Sequence, residues 1–353
     1  MNKYDNLRLF SNCKLVKGIN RSVIYDLQRS QYLFISNTLY DILQSLNDSL
    51  PLEKIKSTFD QEGQRLIDQY ISFFIENDIL FHYEKDGINN FPEISTKYFS
   101  PKIIDNCIID IDAGSNHDYE KIFSELSKYI PTTIQLRFLH IFNKEYLINI
   151  LNLINYYDIK TVQIIIPYKD DFFINYLETL ASNFTRITLV VIYNSPKSYS
   201  AESKQATILS LVENVVSECN CGVISQHSFS CNLKLFLESQ NYNTCLNKKI
   251  SIDSNGLIKN CPSMSNNFGN HREVSLDNVI NNPNFKKLWK KHKDLIHVCK
   301  DCEFRYMCTD CRVFIKDSKD IYSQPAKCSY NPYIAKWEGE EGYYTVEEYL
   351  NQN

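Results

Sequence analysis

Residues 299–312 read Cys299-Lys300-Asp301-Cys302-Glu303-Phe304-Arg305-Tyr306-Met307-Cys308-Thr309-Asp310-Cys311-Arg312. Four cysteines stand there with gaps of two, five and two residues. Cys328 follows, and upstream Cys245 and Cys261 flank Gly256 with ten and four residues between. A two-residue gap lets two thiolates on one tight turn face the same metal. A glycine between Cys245 and Cys261 permits the chain reversal that brings them together. Soft sulfur donors in this number suit tetrahedral zinc or an iron–sulfur cluster, and the spacing alone leaves both open.

The rest of the composition narrows the setting. The chain has 353 residues, 43% hydrophobic and 23% charged, with a net charge of -4. That length allows two or three domains with a sizeable core. No apolar run reaches the roughly 20 residues of a membrane span, and the start Met1-Asn2-Lys3-Tyr4-Asp5 opens no secretory signal, so a cytoplasmic protein is expected. In a reducing compartment the twelve cysteines are not expected to form structural disulfides, and their clustering towards the C-terminus favours a local metal module. The acidic balance argues against a nucleic-acid binder, whose phosphate contacts demand a basic surface.

Residues 1–85 read as a first domain. Ser22 to Leu27 and Tyr32 to Ser36 have the β-branched and aromatic content of a β-ribbon. Three helices are predicted after it: one capped by Asn37 or Thr38 with Leu39, Ile42, Leu43 and Leu46 on its face, one opened by Pro51, and one from Gln64 to Asn77. This is winged-helix-like. Acidic Glu62, Asp68 and Glu76 on the third helix suit a phosphate backbone poorly, whereas a strand edge beside a helix accepts an extended peptide. The pattern resembles the PqqD-like precursor-peptide recognition domain. That resemblance implies leader-peptide contacts at Tyr32, Leu33, Phe34 and Ile35 on the strand and at Tyr70 and Phe74 on the helix.

After a polar link with Gly87, Asn89, Asn90 and Pro92, apolar strands alternate with amphipathic helices over 98–230. Strands are predicted near 107–112, 133–139, 162–167, 186–192 and 222–225, with helices near 118–129, 144–157 and 171–182. This implies an α/β domain with a parallel sheet, open or partly closed as a (β/α) barrel. Its strand ends offer Asp112, His117, His140, Tyr168 and Asn194, which form no catalytic set. No phosphate loop, serine elbow or zinc-protease helix occurs.

The seven-cysteine spacing resembles the SPASM domain of radical S-adenosylmethionine peptide maturases, expected over 231–335. The resemblance implies two [4Fe–4S] clusters, one held by Cys299, Cys302, Cys308 and Cys328, the other by Cys245, Cys261 and Cys311. A fourth ligand for the second set must come from upstream, Cys231 first, with Cys221, Cys219 and His227 as alternatives and an open coordination position as another. Two residues, Thr309 and Asp310, separate the last cysteine pair where three are common in that family. The barrel departs further. Its first strand holds Cys107 alone and the loop Ala113-Gly114-Ser115-Asn116-His117 has no cysteine, so the Cys-x3-Cys-x2-Cys motif of radical chemistry is missing.

Taken together, the chain resembles the SPASM-domain peptide maturases of grasp-with-spasm systems. The implied architecture is a degenerate radical-SAM-type partial barrel between a PqqD-type domain and a cysteine-rich module, ending in an acidic tail at 336–353. The implied role is accessory: holding the leader of a ribosomally made peptide while an ATP-grasp ligase performs the chemistry. A redox-active maturase and a metal-sensing winged-helix regulator are the rival expectations. Lys286, Lys287, Lys290, Lys291 and Lys293 around Phe285, Leu288 and Trp289 are read as the solvated basic face of a helix.

Overall fold

The computed structural model describes residues 6–83, 90–157, 159–202, 205–216 and 221–352, with the side chains of 171 and 172 excepted. Gly87, Asn89 and Cys219 lie outside the described residues. The chain forms two compact units, both discontinuous in sequence. The first comprises Met1–Tyr98, Ile224–Thr244 and Lys291–Asn353; the second comprises Phe99–Val223 and Cys245–Lys290.

In the first unit, β1 (Leu7–Leu9), β2 (Cys13–Lys17), β3 (Ser22–Asp26) and β4 (Gln31–Ile35) precede α1 (Asn37–Asn47), α2 (Leu52–Lys56), α3 (Gln61–Glu76) and β5 (Leu80–His82). Strands β2, β3 and β4 make an antiparallel sheet in that order, leaving β4 at an edge, and β1 pairs with β5. The cap of α1 is Ser36, one residue before the expected pair, and its hydroxyl accepts from Leu39 N at 3.1 Å. A serine in extended backbone satisfies an otherwise orphan helix donor.

All five residues of β3 are buried, because both faces of this small sheet are covered. Ile24 and Ile35 pack with Leu39, Ile42, Leu43, Ile67, Ile71 and Phe74 of the helices. Val23 and Tyr25 point the other way, into a core built with Cys231, Phe236, Phe304, Met307 and Tyr330. Strand alternation sends successive side chains to opposite faces, so the ribbon joins the helices to the cysteine-rich segment within one unit.

The second unit is α/β with a large, mostly parallel sheet. β6 (Asn106–Ile111), α4 (Tyr119–Ser127), β7 (Thr133–Phe138), α5 (Lys144–Tyr156), β8 (Thr161–Pro167), α6 (Asp171–Asn183) and β9 (Ile187–Tyr193) alternate as the sequence predicts. Then come β10 (Tyr199–Glu202), β11 (Thr207–Ser210), β12 (Lys249–Ile252) and β13 (Ile258–Lys259). The order is β10-β11-β9-β8-β7-β6-β12-β13, parallel from β11 to β12 and antiparallel at each end. The expected strand at 222–225 is only an isolated bridge, Ile224 to Cys328, at the point where the chain passes from the second unit to the first.

The lysine-rich stretch forms turns rather than a regular helix. Phe285 and Trp289 are buried as expected, with ring centroids 5.8 Å apart. Lys293 departs from the reading of a solvated face: it is 4% exposed.

Candidate metal centre

Cys299, Cys302, Cys308 and Cys328 line one cavity of the first unit, about 350 Å³ of empty space with its open mouth included. Phe229, Lys293, Val298, Phe304, Tyr330 and Trp337 share its wall. The pair Cys299–Cys302 is set by a single 3-10 turn, Cys302 N donating to Cys299 O at 3.1 Å. Val298 before it holds φ +68°, a left-handed conformation rare for a β-branched residue. Cys328 lies beside Ile224 in the isolated parallel bridge.

This pocket disfavours bare thiolates. Burial pushes the Cys299 thiol up to about 12 and the Cys308 thiol up to about 11, and raises Cys302 far above its ordinary value. Two donors oppose that penalty: Phe304 N to Cys302 Sγ at 3.4 Å and Lys293 Nζ to Cys299 Sγ at 3.8 Å. Four thiols around one cavity, those of Cys299 and Cys308 buried and those of Cys302 and Cys328 partly so, fit a group that carries positive charge of its own. A single zinc would draw its sulfurs to about 3.8 Å from one another, given Zn–S bonds of about 2.3 Å in a tetrahedron. Among the described residues no three His, Cys, Asp or Glu side chains are gathered to hold one ion.

The second unit carries another thiol set. β12 and β13 form a hairpin whose turn, from Asp253 to Leu257, is closed by Gly256 N to Asp253 O at 2.9 Å. Gly256 has φ +81°, and a Cβ there would meet His271 Nδ1 at 2.8 Å, so both backbone and space require glycine. The hairpin brings together Cys245, just before it, and Cys261, just after it. Burial first, then the charge of Cys245, pushes Cys261 up to about 11, and Cys221 adds to that rise. Lys249 Nζ donates to Cys245 Sγ at 3.6 Å. Asp110 grips Arg137 through two bonds of 2.6 Å, and the guanidinium also feels Cys261 and Cys221.

The remaining expected ligands fall differently. Cys231 belongs to the first unit's core, where its thiol donates to Gln31 O at 3.1 Å. Burial raises that thiol to about 12. The strand carbonyls of Asp26 and Gln31 use it as a buried donor. Cys221 is an upstream cysteine whose charge acts on Cys261, and His227 lies exposed in a 3-10 turn of the first unit. Cys311 is a first-unit residue whose Sγ accepts from Phe314 N at 3.4 Å.

At the ribbon, a groove of about 840 Å³, open solvent included, runs between β4 and the end of α3. Arg29, Gln31, Tyr32, Leu33, Phe73 and Asn77 are among its walls. Tyr32, Leu33, Phe34 and Tyr70 are at least partly accessible. Ile35 and Phe74 are not: both lie in the core beneath. On α3 the buried stripe is Ile67, Ile71 and Phe74, while Leu66, Tyr70 and Phe73 form the exposed one. Helical periodicity separates these rows, and the sequence reading merged them.

At the β6 end, Asp112 closes a local turn by accepting from Gly114 N and Ser115 Oγ. His117 is buried with Nε2 against Asp110 O at 2.8 Å. Cys107 is fully buried, its thiol raised by burial alone.

Crystal structures of Streptococcus suis SuiB, bound to S-adenosylmethionine and bound to precursor peptide SuiA, resemble this chain at 11% identity. Each alignment covers 90% of this chain and 98% of that one, with TM-scores of 0.40 and 0.39, a likeness too distant to argue from. No curated protein matches the sequence. Residues 244–303 match the SPASM family, an iron–sulfur cluster-binding domain. The match takes in Cys245, Gly256, Cys261, Cys299 and Cys302, so the segment 244–303 is similar to the SPASM domain.

Proposed function

We propose that this protein is an accessory factor in the maturation of a ribosomally made, post-translationally modified peptide. The observation that carries the reading is the cavity lined by Cys299, Cys302, Cys308 and Cys328 within a unit that also presents a strand edge and a groove. The four thiols are read as the ligands of one [4Fe–4S] cluster. Cys245 and Cys261, with Cys221 in place of Cys231, are read as ligands of a second. A bound cluster supplies an electron-storing centre and a crosslink between segments distant in sequence.

The first unit's ribbon and helices are read as a winged-helix-like, PqqD-type domain. The open edge of β4 offers backbone donors and acceptors to an added strand, and Leu66, Tyr70 and Phe73 offer an apolar row beside it. The large parallel sheet is read as a degenerate radical-SAM-type domain, with Cys107 and loop 113–117 lacking the ligand set for reductive cleavage. The modifying chemistry then belongs to a partner, read as an ATP-grasp ligase.

Three measurements test this. Anaerobic iron and sulfide analysis should find both elements in the purified protein, and zinc in their place would sink the cluster assignment. Calorimetry with the cognate leader peptide should show binding that Tyr70→Ala with Phe73→Ala weakens. Release of 5′-deoxyadenosine on incubation with S-adenosylmethionine and a reductant would make the protein an enzyme and overturn the accessory role.

A further inference from the structure

Lys293 is a buried cation whose position the metal reading does not explain. Its ammonium lies 3.8 Å from Cys299 Sγ and 3.4 Å from Asp310 Oδ1. Asp310 is already answered: Arg312 Nη2 donates to the same oxygen at 2.7 Å, and Asn243 Nδ2 to the other at 2.8 Å. Arg312 in turn donates to Ser323 O at 2.8 Å, so its guanidinium is fixed. One carboxylate thus sits between two cations and makes its tighter bond to the arginine. The surplus positive charge is the ammonium, and it shares the cavity wall with the four cysteines. Removing an ammonium from water costs several kcal/mol, so a lone buried lysine requires a negative partner. The thiolates are that partner.

The second thiol set repeats the arrangement. Lys249 Nζ donates to Cys245 Sγ at 3.6 Å. Each set therefore carries one lysine at one of its sulfurs, on unrelated segments of chain.

We propose that Lys293 and Lys249 are resident counter-ions that set the reduction potentials of the clusters bound at their respective cysteines. Reduction adds one electron and makes the cluster with its thiolates one unit more negative. A fixed positive charge at the sulfur favours that state and raises the potential, since net charge and donors to sulfur are among the levers that set it. The lysines act through the ligands and are positioning residues. The proposal rests on the cluster reading above.

The experiment is a redox titration of the anaerobically prepared protein with dithionite, followed by electron paramagnetic resonance, with iron and sulfide measured on every sample. Lys293→Met should retain iron and shift one signal to more negative potential. Lys293→Arg should stay near the wild-type value, and Lys249→Met should shift a different signal. Full iron content with unchanged potentials in both methionine variants overturns the proposal and leaves the cluster reading standing. Wild-type protein without iron overturns both. Where Lys293→Met takes up no iron, Asp310→Asn serves in its place: it spares the lysine, removes a negative charge, and should shift the potential upward. No shift there also overturns the proposal.

Discussion

Tyr25 donates its phenolic hydrogen to Glu303 O at 2.6 Å, across 278 residues of sequence. The carbonyl belongs to the residue after Cys302, and the tyrosine to the central strand of the ribbon. Glu303 is held from its side chain as well, Oε1 accepting from Arg21 Nε at 2.7 Å and from Tyr330 Oη at 2.5 Å. The turn that presents Cys302 is thereby fixed to the expected leader-binding sheet. Tyr25→Phe leaves that carbonyl unpaired in the core. It should cost about 1–3 kcal/mol, read as a lower denaturant midpoint, and slow iron uptake into the four-cysteine site.

Removal of a ligand should separate the two thiol sets. Cys302→Ser or Cys328→Ser should lower bound iron to about half if two clusters of equal size are present. The first unit should lose stability because its cavity wall is no longer tied together. Colorimetric iron assays with thermal unfolding check both effects. Unaltered iron in both variants would detach these cysteines from the metal.

The choice between Cys221 and Cys231 is open to the same assay. Cys221→Ser should reduce iron and leave the first unit's unfolding unchanged. Cys231→Ala should do the reverse, keeping iron while costing about 1–3 kcal/mol through the unpaired Gln31 carbonyl and a small cavity.

The two rows of α3 predict opposite outcomes. Tyr70→Ala with Phe73→Ala strips the exposed row; binding of the leader should weaken by about tenfold or more, at roughly 1.4 kcal/mol per decade, with little change in circular dichroism. Phe74→Ala removes a fully buried ring and should destabilise by about 3–5 kcal/mol.

Acid should weaken the second unit through its buried imidazoles. His117 and His271 both have pKa values lowered from 6.5, burial being the first cause in each. The folded state holds them neutral, while unfolded chains take up protons as pH falls below 6.5. Their contribution is complete above that value and is lost as pH falls toward the folded values. Melting temperatures between pH 7.5 and 5.5 should fall more steeply for wild type than for His117→Gln, and equal slopes would contradict this.

Several elements are legible in the chain alone. The alternation of apolar strands with helices from Asn106 to Tyr193 is strongly periodic, and period alone distinguishes a strand from an amphipathic helix. The Cys245-Gly256-Cys261 hairpin is legible because a positive φ at one position demands glycine. What is not legible is set by neighbours far away in sequence. Cys231 looks like any upstream thiol until β3 and β4 claim it as a donor. Lys293 looks solvated among other lysines until Cys299 and Asp310 enclose it. Tyr70 and Phe74 look alike until the helix is rotated against its core.

The sequence by itself determined that cysteines cluster between Cys245 and Cys328, that the middle of the chain is α/β, and that the Cys-x3-Cys-x2-Cys motif is missing. These are matters of residue type, spacing and period, which need no partner to be read. Only the tertiary structure decided that the ribbon and the Cys299–Cys328 segment share one unit, and that a lysine, Lys293 buried and Lys249 partly buried, stands at each thiol set. Those depend on which surfaces exclude water together, and burial is a property of the folded chain, not of any local stretch.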